Sequence, residues 1–181
     1  MTDLSKAQVI ALALSQGNLV VMRTDTIYGI LVLASDSKAV EKLYSVKKRD
    51  PCKPCILLVA DARDIPTSQE ERRSYQKLSQ ERPTTLVTPV DDSYLPHLPK
   101  DNGTLAFRAI NLPKLQEIIR ICGPVLAPSA NPEGLTPAIN INQAKNYFGD
   151  KVALYVDGGE VPENTPSRIV KFVDGAVQII R

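Results

Sequence analysis

The chain has 181 residues, a hydrophobic fraction of 43% and a formal net charge of +2. A chain of this length can bury one hydrophobic core, so we expect a single domain over residues 1–181. The small net charge argues against a protein that coats a polyanion with its whole surface, and any nucleotide or nucleic-acid site must therefore come from a local basic cluster.

Helices and strands are predicted to alternate along the sequence. Helical periodicity and capping residues predict helices between Asp3 or Ser5 and Gly17, and at 38–48, 67–81, 111–121 and 140–149. Runs rich in β-branched residues predict strands at 18–24, 55–60, 84–90, 104–110, 124–131, 168–173 and 176–181. Asn111 is the predicted cap of the fourth helix, and Asp174-Gly175 suits a tight type I′ turn between the last two strands. This order predicts an α/β fold, a single-domain twisted mixed sheet with flanking helices and a concave basic crevice.

Location is also constrained by the sequence. No apolar run approaches the ~20 residues that a membrane-spanning helix needs. The N-terminal residues lack the basic region and the cleavage site of a signal peptide. The three cysteines, an odd number, suit a reducing compartment better than a set of disulfides. We therefore expect a cytoplasmic protein that makes no membrane contact.

Two cysteines, Cys52 and Cys55, form a Cys-Lys-Pro-Cys sequence that offers two alternative functions. A redox pair of this spacing usually begins a helix, whose dipole stabilises the thiolate, but this pair precedes a predicted strand. A zinc site would need Cys122 and the single histidine, His97, from unrelated positions. We expect incidental thiols, with Cys55 facing the core.

A basic triplet, Lys47-Lys48-Arg49, comes directly before that pair at the end of a predicted helix. Such a triplet is most often a solvated helix end that complements the helix dipole. The stretches 23–29 and 127–131 are polar loops at predicted strand ends, where an open α/β sheet places its ligand crevice. Each loop also suits ordinary turn chemistry. Together with the basic triplet, however, they favour one shared anion site, which lacks the P-loop and dinucleotide-binding motifs.

Several stretches, in the same order along residues 18–181, resemble the YrdC family, the threonylcarbamoyl-adenylate synthases of tRNA modification. Lys47-Lys48-Arg49 matches the family's K-x-R motif, and Ser129-Ala130-Asn131 matches its S-x-N motif. Further similar stretches lie at 18–29, 104–110, 165–170 and 178–181. The resemblance implies a reaction of L-threonine, bicarbonate and ATP that gives threonylcarbamoyl-AMP and pyrophosphate, with Mg²⁺ sharing the neutralisation of the phosphates. It also implies that this chain corresponds to the family's catalytic domain alone.

The resemblance and the required charges assign roles to individual residues. The expected ATP-binding residues are Lys47, Arg49, Lys53, Thr104, Ser129, Asn131 and Arg181. The expected threonine-binding residues are Thr26, Arg108 and Ser167. Lys47 and Arg49 are expected to act in catalysis, by neutralising charge rather than by covalent attack. Strand alternation places Thr104 and Arg108 on one face of their strand, with Leu105 and Phe107 on the other.

Four positions depart from the family pattern. They are Arg23, Asp50, Arg82 and Glu133, which replace a proline, a proline, a glycine and a serine. Asp50 and Glu133 bring negative charge to the expected phosphate site, where they could bind magnesium, weaken ATP binding or face solvent.

Two other functions use the same features. A module that binds double-stranded RNA or tRNA would use the basic crevice, although the chain is only 5% aromatic and has no tryptophan for base stacking. A carbamoyl-transfer domain of the hydrogenase-maturation type would share the fold within a longer chain. If the chain is the synthase, we expect it to contact tRNA or double-stranded RNA. We also expect downstream threonylcarbamoyl-transferase proteins as partners.

Overall fold

The structure is a computed structural model that describes residues 4–161 and 165–181. The strands are β1 (Val20–Arg23), β2 (Tyr28–Leu33), β3 (Ile56–Val59), β4 (Thr84–Pro89), β5 (Thr104–Ala109), β6 (Val125–Leu126), β7 (Leu154–Val156), β8 (Arg168–Val173) and β9 (Ala176–Ile179). The helices are α1 (Lys6–Ser15), α2 (Ser37–Lys47), α3 (Gln69–Glu81), α4 (Pro113–Cys122) and α5 (Ile141–Phe148). Within the described residues the strands form one nine-stranded sheet in the order β7-β1-β2-β6-β3-β5-β4-β8-β9. The sheet is mixed, as predicted: β1 with β7, β3 with β5 and β4 with β8 are parallel, and the other neighbours are antiparallel.

The two faces of the sheet carry separate hydrophobic clusters. On one face, α1 and α4 pack over side chains such as Val20 and Leu31. On the other face, α2, α3 and α5 pack over the alternate side chains, such as Val21 and Ile30. Because successive strand residues point to opposite faces, each apolar run in this sheet supplies both clusters.

Local sequence signals explain most element boundaries. Ser5 caps α1 in a capping box with Gln8, and Gly17 follows the helix with a φ of 75°. Asp174 and Gly175 have φ values of 50° and 77°, as a type I′ turn between β8 and β9 requires.

The predicted cap of α4 is wrong. Leu112 occupies the N-cap position without a side-chain hydrogen bond, and the helix starts at Pro113, whose missing amide hydrogen costs nothing there. The strand predicted at 124–131 is a regular strand only over β6, followed by an isolated bridge between Ser129 and Gly29. The sequence patterns assigned no strand to β2 or β7.

The segments that follow β1, α2 and β6 converge at one end of the strands. The amide of Ile30 donates to the carbonyl of Pro128, and that of Ala130 donates to the carbonyl of Tyr28, so the segment after β6 is fastened to β2. A side chain at Gly29 would place its Cβ 3.2 Å from Cγ2 of Thr24 and 3.4 Å from the Pro128 carbonyl oxygen, so this close approach favours glycine. No helix in the described ranges is long and apolar enough to cross a bilayer.

Candidate functional site

A cavity of about 490 Å³ opens where these segments meet. The β1–β2 connection, the segment after α2, β5, the segment after β6 and the segment leading into β8 all contribute to its wall. The predicted site residues that line it are Thr26, Arg49, Arg108, Ser129, Ser167 and Arg181. The fold thus brings together residues that are far apart in sequence. Lys47, Lys53, Thr104 and Asn131 are not part of this lining.

Arg108 is the buried charge of the cavity wall. Its neighbours Leu105 and Phe107 lie in the cluster under α2, α3 and α5, so Arg108 points to the opposite face of β5, as alternation predicts. The residue is only 4% exposed, and its Nη2 lies 3.4 Å from Oγ1 of Thr26. Its Nε is buried and has no hydrogen-bond partner. Arg108 lines the cavity, and a planar guanidinium in such a position suits a carboxylate ligand.

Asp25, which is not among the site residues predicted from the sequence, is the counter-charge of Arg108. Its Oδ1 lies 3.0 Å from Nη2 of Arg108, and both side chains are at least nine-tenths buried. The atoms are at ion-pair distance, although Oδ1 receives no well-aligned hydrogen bond. Burial raises the pKa of Asp25 despite the opposing charge of Arg108. The available signal was a carboxylate between two threonines at a strand end, a residue type that is seldom buried unless it is paired.

Thr26 and Ser167 complete this side of the cavity with hydroxyl groups. Oγ1 of Thr26 lies 3.1 Å from Oγ1 of Thr24, which in turn donates to the carbonyl of Ile27. Ser167 is buried, and its Oγ lies 2.8 Å from Oγ1 of Thr85. Both hydroxyls are therefore held in place by neighbouring threonines.

Lys47 is buried and acts on the backbone of the S-x-N segment. It is the last residue of α2, is 2% exposed, and donates from Nζ to the carbonyls of Ser129 and Asn131, each at 2.5 Å. The amide of Glu133 donates to the Lys47 carbonyl at 2.8 Å. Burial, followed by the charge of Arg49, lowers the pKa of Lys47 to about 8, while the two carbonyl acceptors favour the ammonium form. The geometry therefore makes Lys47 a positioning residue for this segment.

Arg49 and Lys53 lie on the turn after α2. Arg49 lines the cavity and donates from Nη2 to the carbonyl of Pro54 at 2.9 Å. The ammonium of Lys53 is outside the lining and forms an exposed ion pair with Glu133 at 2.5 Å. Arg49 is thus directly available to a ligand in the cavity, whereas Lys53 already has an anionic partner.

The other predicted nucleotide contacts have different surroundings. Asn131 is 8% exposed, and its side-chain amide donates to the carbonyls of Pro132 and Leu135. Arg181 lines the cavity and donates to the Ser167 carbonyl at 3.2 Å. Thr104 donates to the Asp101 carbonyl and lies four residues from Arg108, roughly 13 Å along the strand, which explains its absence from the lining. Nucleotide contact by Thr104 remains a prediction.

Three of the departures from the family pattern have definite contacts. Arg23 donates to the carbonyls of Gly158 and Glu160. Asp50 accepts the amide of Cys52 at 2.9 Å, and Glu133 pairs with Lys53. Nothing in the structure gives Arg82 a role at the cavity.

The cysteines have no feature of an activated pair. Cys55 is buried in the core beside the cavity, and burial raises the pKa of its thiol, which is the opposite of redox activation. Cys52 is exposed, and His97 bonds to the carbonyl of Ala34. Over residues 4–161 and 165–181, no three histidine, cysteine, aspartate or glutamate residues group as a metal site.

Comparisons with known proteins show a match to one family along most of the chain. The Sua5/YciO/YrdC family model, described as "Telomere recombination", matches residues 12–181. A putative threonylcarbamoyl-AMP synthase of Mycobacterium tuberculosis (strain CDC 1551 / Oshkosh) is 32% identical over 173 residues, which cover 93% of this chain and 80% of that protein. The threonylcarbamoyl-AMP synthase of Saccharophagus degradans is 30% identical over 169 residues, with 91% of this chain and 88% of that protein covered.

A solved structure shows the same architecture. The crystal structure of P. abyssi Sua5 complexed with L-threonine superposes with a TM-score of 0.83 at 25% identity. The match covers 97% of this chain and 53% of that protein, so this chain spans about half of its length.

Proposed function

The chain belongs to the Sua5/YciO/YrdC family, and on this premise we propose that it is a threonylcarbamoyl-AMP synthase. The reaction joins L-threonine, bicarbonate and ATP into threonylcarbamoyl-AMP and releases pyrophosphate and water. Curated relatives bear this name, and a structural neighbour was solved with L-threonine. These findings favour catalysis over an RNA-binding module without enzymatic activity.

The observation that carries the proposal is the division of charge within one cavity. Arg108, flanked by the hydroxyls of Thr26 and Ser167, forms a site suited to a small hydroxy amino acid. Arg49 and Arg181 line the same cavity and would face the nucleotide phosphates. A single cavity that holds an amino-acid carboxylate and a polyphosphate is what this reaction requires.

The chemistry consists of two bond-forming steps. The threonine amine attacks bicarbonate, which loses water and leaves a carbamate on the nitrogen. A carbamate oxygen then attacks the α-phosphorus of ATP, and the bond between the α-phosphorus and the oxygen that links it to the β-phosphorus breaks, which releases pyrophosphate. Arg108 would hold the threonine carboxylate and thereby aim the amine. Arg49 and Arg181 would stabilise the charge that develops on the phosphates.

Lys47 would contribute mainly by positioning. Its ammonium bonds to two carbonyls of the segment that carries Ser129 and Asn131, the predicted nucleotide contacts. Among the lining residues, the hydroxyls of Thr26 and Ser167 pair with threonine hydroxyls, and burial raises the pKa of the Cys55 thiol, so none of these three is activated as a nucleophile. Catalysis by orientation and charge neutralisation therefore fits the site better than a covalent intermediate.

Magnesium would enter with the nucleotide as the substrate MgATP. Three carboxylates near the cavity are already engaged: Asp25 pairs with Arg108, Asp50 accepts the Cys52 amide, and Glu133 pairs with Lys53. Because Mg²⁺ commonly keeps several waters and binds substrate phosphates, this donor set fits an ion carried by the triphosphate. The ion would share the neutralisation of the phosphates with the arginines.

Pyrophosphate release provides the test. We expect release from ATP that depends on both L-threonine and bicarbonate, with threonylcarbamoyl-AMP as the co-product by mass spectrometry. ATP hydrolysis that is independent of threonine, or no turnover together with tight binding of double-stranded RNA, would contradict the proposal.

The product has consequences for partners and location. An acyl-phosphate anhydride with AMP is reactive in water, so a transferase that modifies tRNA adenosine should consume it soon after release. The supply of ATP and free threonine favours a cytoplasmic site of action. Direct contact with tRNA is a further expectation, and titration of the protein with tRNA at two salt concentrations would measure it.

A further inference from the structure

The carboxylate of Glu133 is bound by two donors from the turn after α2. Its Oε1 lies 2.5 Å from the ammonium of Lys53, and its Oε2 accepts the backbone amide of Asp50 at 3.1 Å. We call these two donors, the Lys53 ammonium and the Asp50 amide, the anion cradle. Both oxygens of one carboxylate therefore lie in the cradle.

The cradle adjoins the cavity. Arg49 and Pro54, the chain neighbours of Asp50 and Lys53, both line the cavity wall. Glu133 lies on the segment that also carries Ser129, another lining residue, and its amide bonds to Lys47. A polyphosphate that extends from the cavity past Arg49 would approach the same two donors.

The donors of the cradle are those that bind phosphate oxygens. An ammonium, a backbone amide and a nearby guanidinium are common partners of phosphate groups in proteins. A carboxylate presents two oxygens in a similar arrangement but carries less charge than the terminal phosphates of ATP. The contacts with Lys53 and the Asp50 amide also lower the pKa of Glu133, so this carboxylate is ionised at neutral pH.

The ion pair is exposed, with the Lys53 and Glu133 side chains 54% and 32% accessible. Exposed ion pairs contribute little to stability, because water and salt screen the charges. Opening this pair therefore costs little, and a more highly charged anion can replace the carboxylate.

We propose that Glu133 is an internal competitor of the nucleotide: its carboxylate occupies the anion cradle of the free protein and must leave before the terminal phosphates of ATP reach Lys53. The inference rests on the proposed function only because that function names ATP as the polyphosphate. Glu133 replaces the serine of the family pattern, so this competition would distinguish the present chain from relatives that carry serine there. It would weaken the binding of triphosphates more than that of monophosphates.

Direct binding measurements test this competition. Isothermal titration at low ionic strength would give the Kd of tripolyphosphate, ATP and AMP for the wild type and for Glu133→Gln. We expect Glu133→Gln to bind tripolyphosphate and ATP about three- to tenfold more tightly, with AMP unchanged, because it removes both the competitor and a repulsive charge. The gain should shrink at high salt. Lys53→Met should weaken tripolyphosphate binding, and in the double variant it should leave only the part of the Glu133→Gln gain that comes from the removed repulsive charge.

Asp61→Asn is the matched control. Asp61 also forms an exposed ion pair, with Arg63 at 2.9 Å. It follows the C-terminal end of β3, whereas the first residue of β3, Ile56, lines the cavity. The substitution removes the same charge and should leave every Kd unchanged.

Three outcomes would overturn the proposal. An unchanged or higher Kd for tripolyphosphate in Glu133→Gln would make Glu133 a brace between segments rather than a competitor. Weaker binding of MgATP alone, with metal-free ATP unaffected, would make Glu133 a metal ligand. Absence of tripolyphosphate binding by the wild type would show that the anion cradle does not bind polyphosphate. If tripolyphosphate binds and ATP does not, the proposed function fails while the competition at the cradle is still measured.

Discussion

Replacement of Arg108 by lysine tests whether this side chain recognises the threonine carboxylate. Nη2 of Arg108 is already beside Asp25 and Thr26, while its Nε is buried and has no partner. A lysine preserves the positive charge next to Asp25 but lacks a second donor in a fixed plane. We therefore expect the charge balance to survive and the binding of the carboxylate to weaken.

The size of the effect follows from the number of donors lost. A hydrogen bond to a charged group contributes about 1.5–3 kcal/mol. Loss of one such bond raises the KM for threonine by about 10- to 100-fold, since each 1.4 kcal/mol is a factor of ten. The KM for ATP should change far less, because Arg49 and Arg181 on the cavity wall, rather than Arg108, are the proposed phosphate contacts.

The assay is pyrophosphate release with threonine and ATP titrated separately. Arg168→Lys is the control, because Arg168 bonds to Leu78, Thr84 and Glu81 and is not among the cavity-lining residues. That variant should lose stability without a change in either KM. Equal shifts of both KM values in Arg108→Lys, or no shift, would show that Arg108 does not bind the amino acid.

The pH dependence of stability gives a second measurement on the same pair. Arg108→Met leaves Asp25 buried without its counter-charge, a change that typically costs ~3–5 kcal/mol. The pKa of Asp25 is already raised by burial, and loss of Arg108 raises it further. A raised carboxyl pKa gives stability that is present at low pH and lost as the pH rises through the folded-state value. Urea unfolding of Arg108→Met should therefore show a larger deficit against the wild type at pH 8 than at pH 5, and an equal deficit would refute the role of Asp25.

Three further predictions concern the end of α2 and the residues that follow it, up to Cys55. Lys47→Met should reduce the rate of adenylate formation about 100-fold, as expected for lost positioning. The wild-type rate should fall as the pH rises through about 8, where Lys47 loses its proton, and the Met variant should lack this limb. Arg49→Ala should lower kcat/KM, because it removes ~2–4 kcal/mol of transition-state stabilisation. Near-wild-type kinetics would exclude Arg49 as a phosphate contact. Cys52→Ser with Cys55→Ser should retain activity within a few-fold, whereas activity that requires oxidant or added zinc would restore the rejected functions of the pair.

Local signals were sufficient for most of the fold. Ser5 and Gly17 mark the two ends of α1, and Asp174-Gly175 forms the turn of the final hairpin. These signals are reliable because capping and turn preferences act within a few residues. Asn111 is not the cap because the helix starts at Pro113, which suits the first turn, and the residue before it, Leu112, is therefore the N-cap. A cap at Asn111 would require the helix to start at Leu112. The strand β7 has only partly buried residues and pairs with β1 at the sheet edge, so its short sequence carries a weak periodic signal.

The site was less accessible to sequence reasoning, because side-chain partners depend on packing between distant segments. The alternation of β5 correctly separated Arg108 from Phe107, but it did not reveal that Asp25 lies beside Arg108. The basic triplet marked the correct turn. Sequence could not distinguish Arg49, which lines the cavity, from Lys53, which pairs with Glu133.

The relation between the K-x-R and S-x-N motifs has a physical explanation in the structure. The ammonium of Lys47 bonds to the carbonyls of Ser129 and Asn131, and the Lys47 carbonyl accepts the amide of Glu133. The K-x-R motif and the segment of the S-x-N motif are therefore joined to each other by three hydrogen bonds. A buried ammonium is tolerated there because backbone oxygens accept two of its three protons. These bonds in turn hold the two carbonyls close to the end of α2. We therefore expect a lysine at this position to shape the segment that carries Ser129 and Asn131, with Arg49 as the proposed phosphate contact.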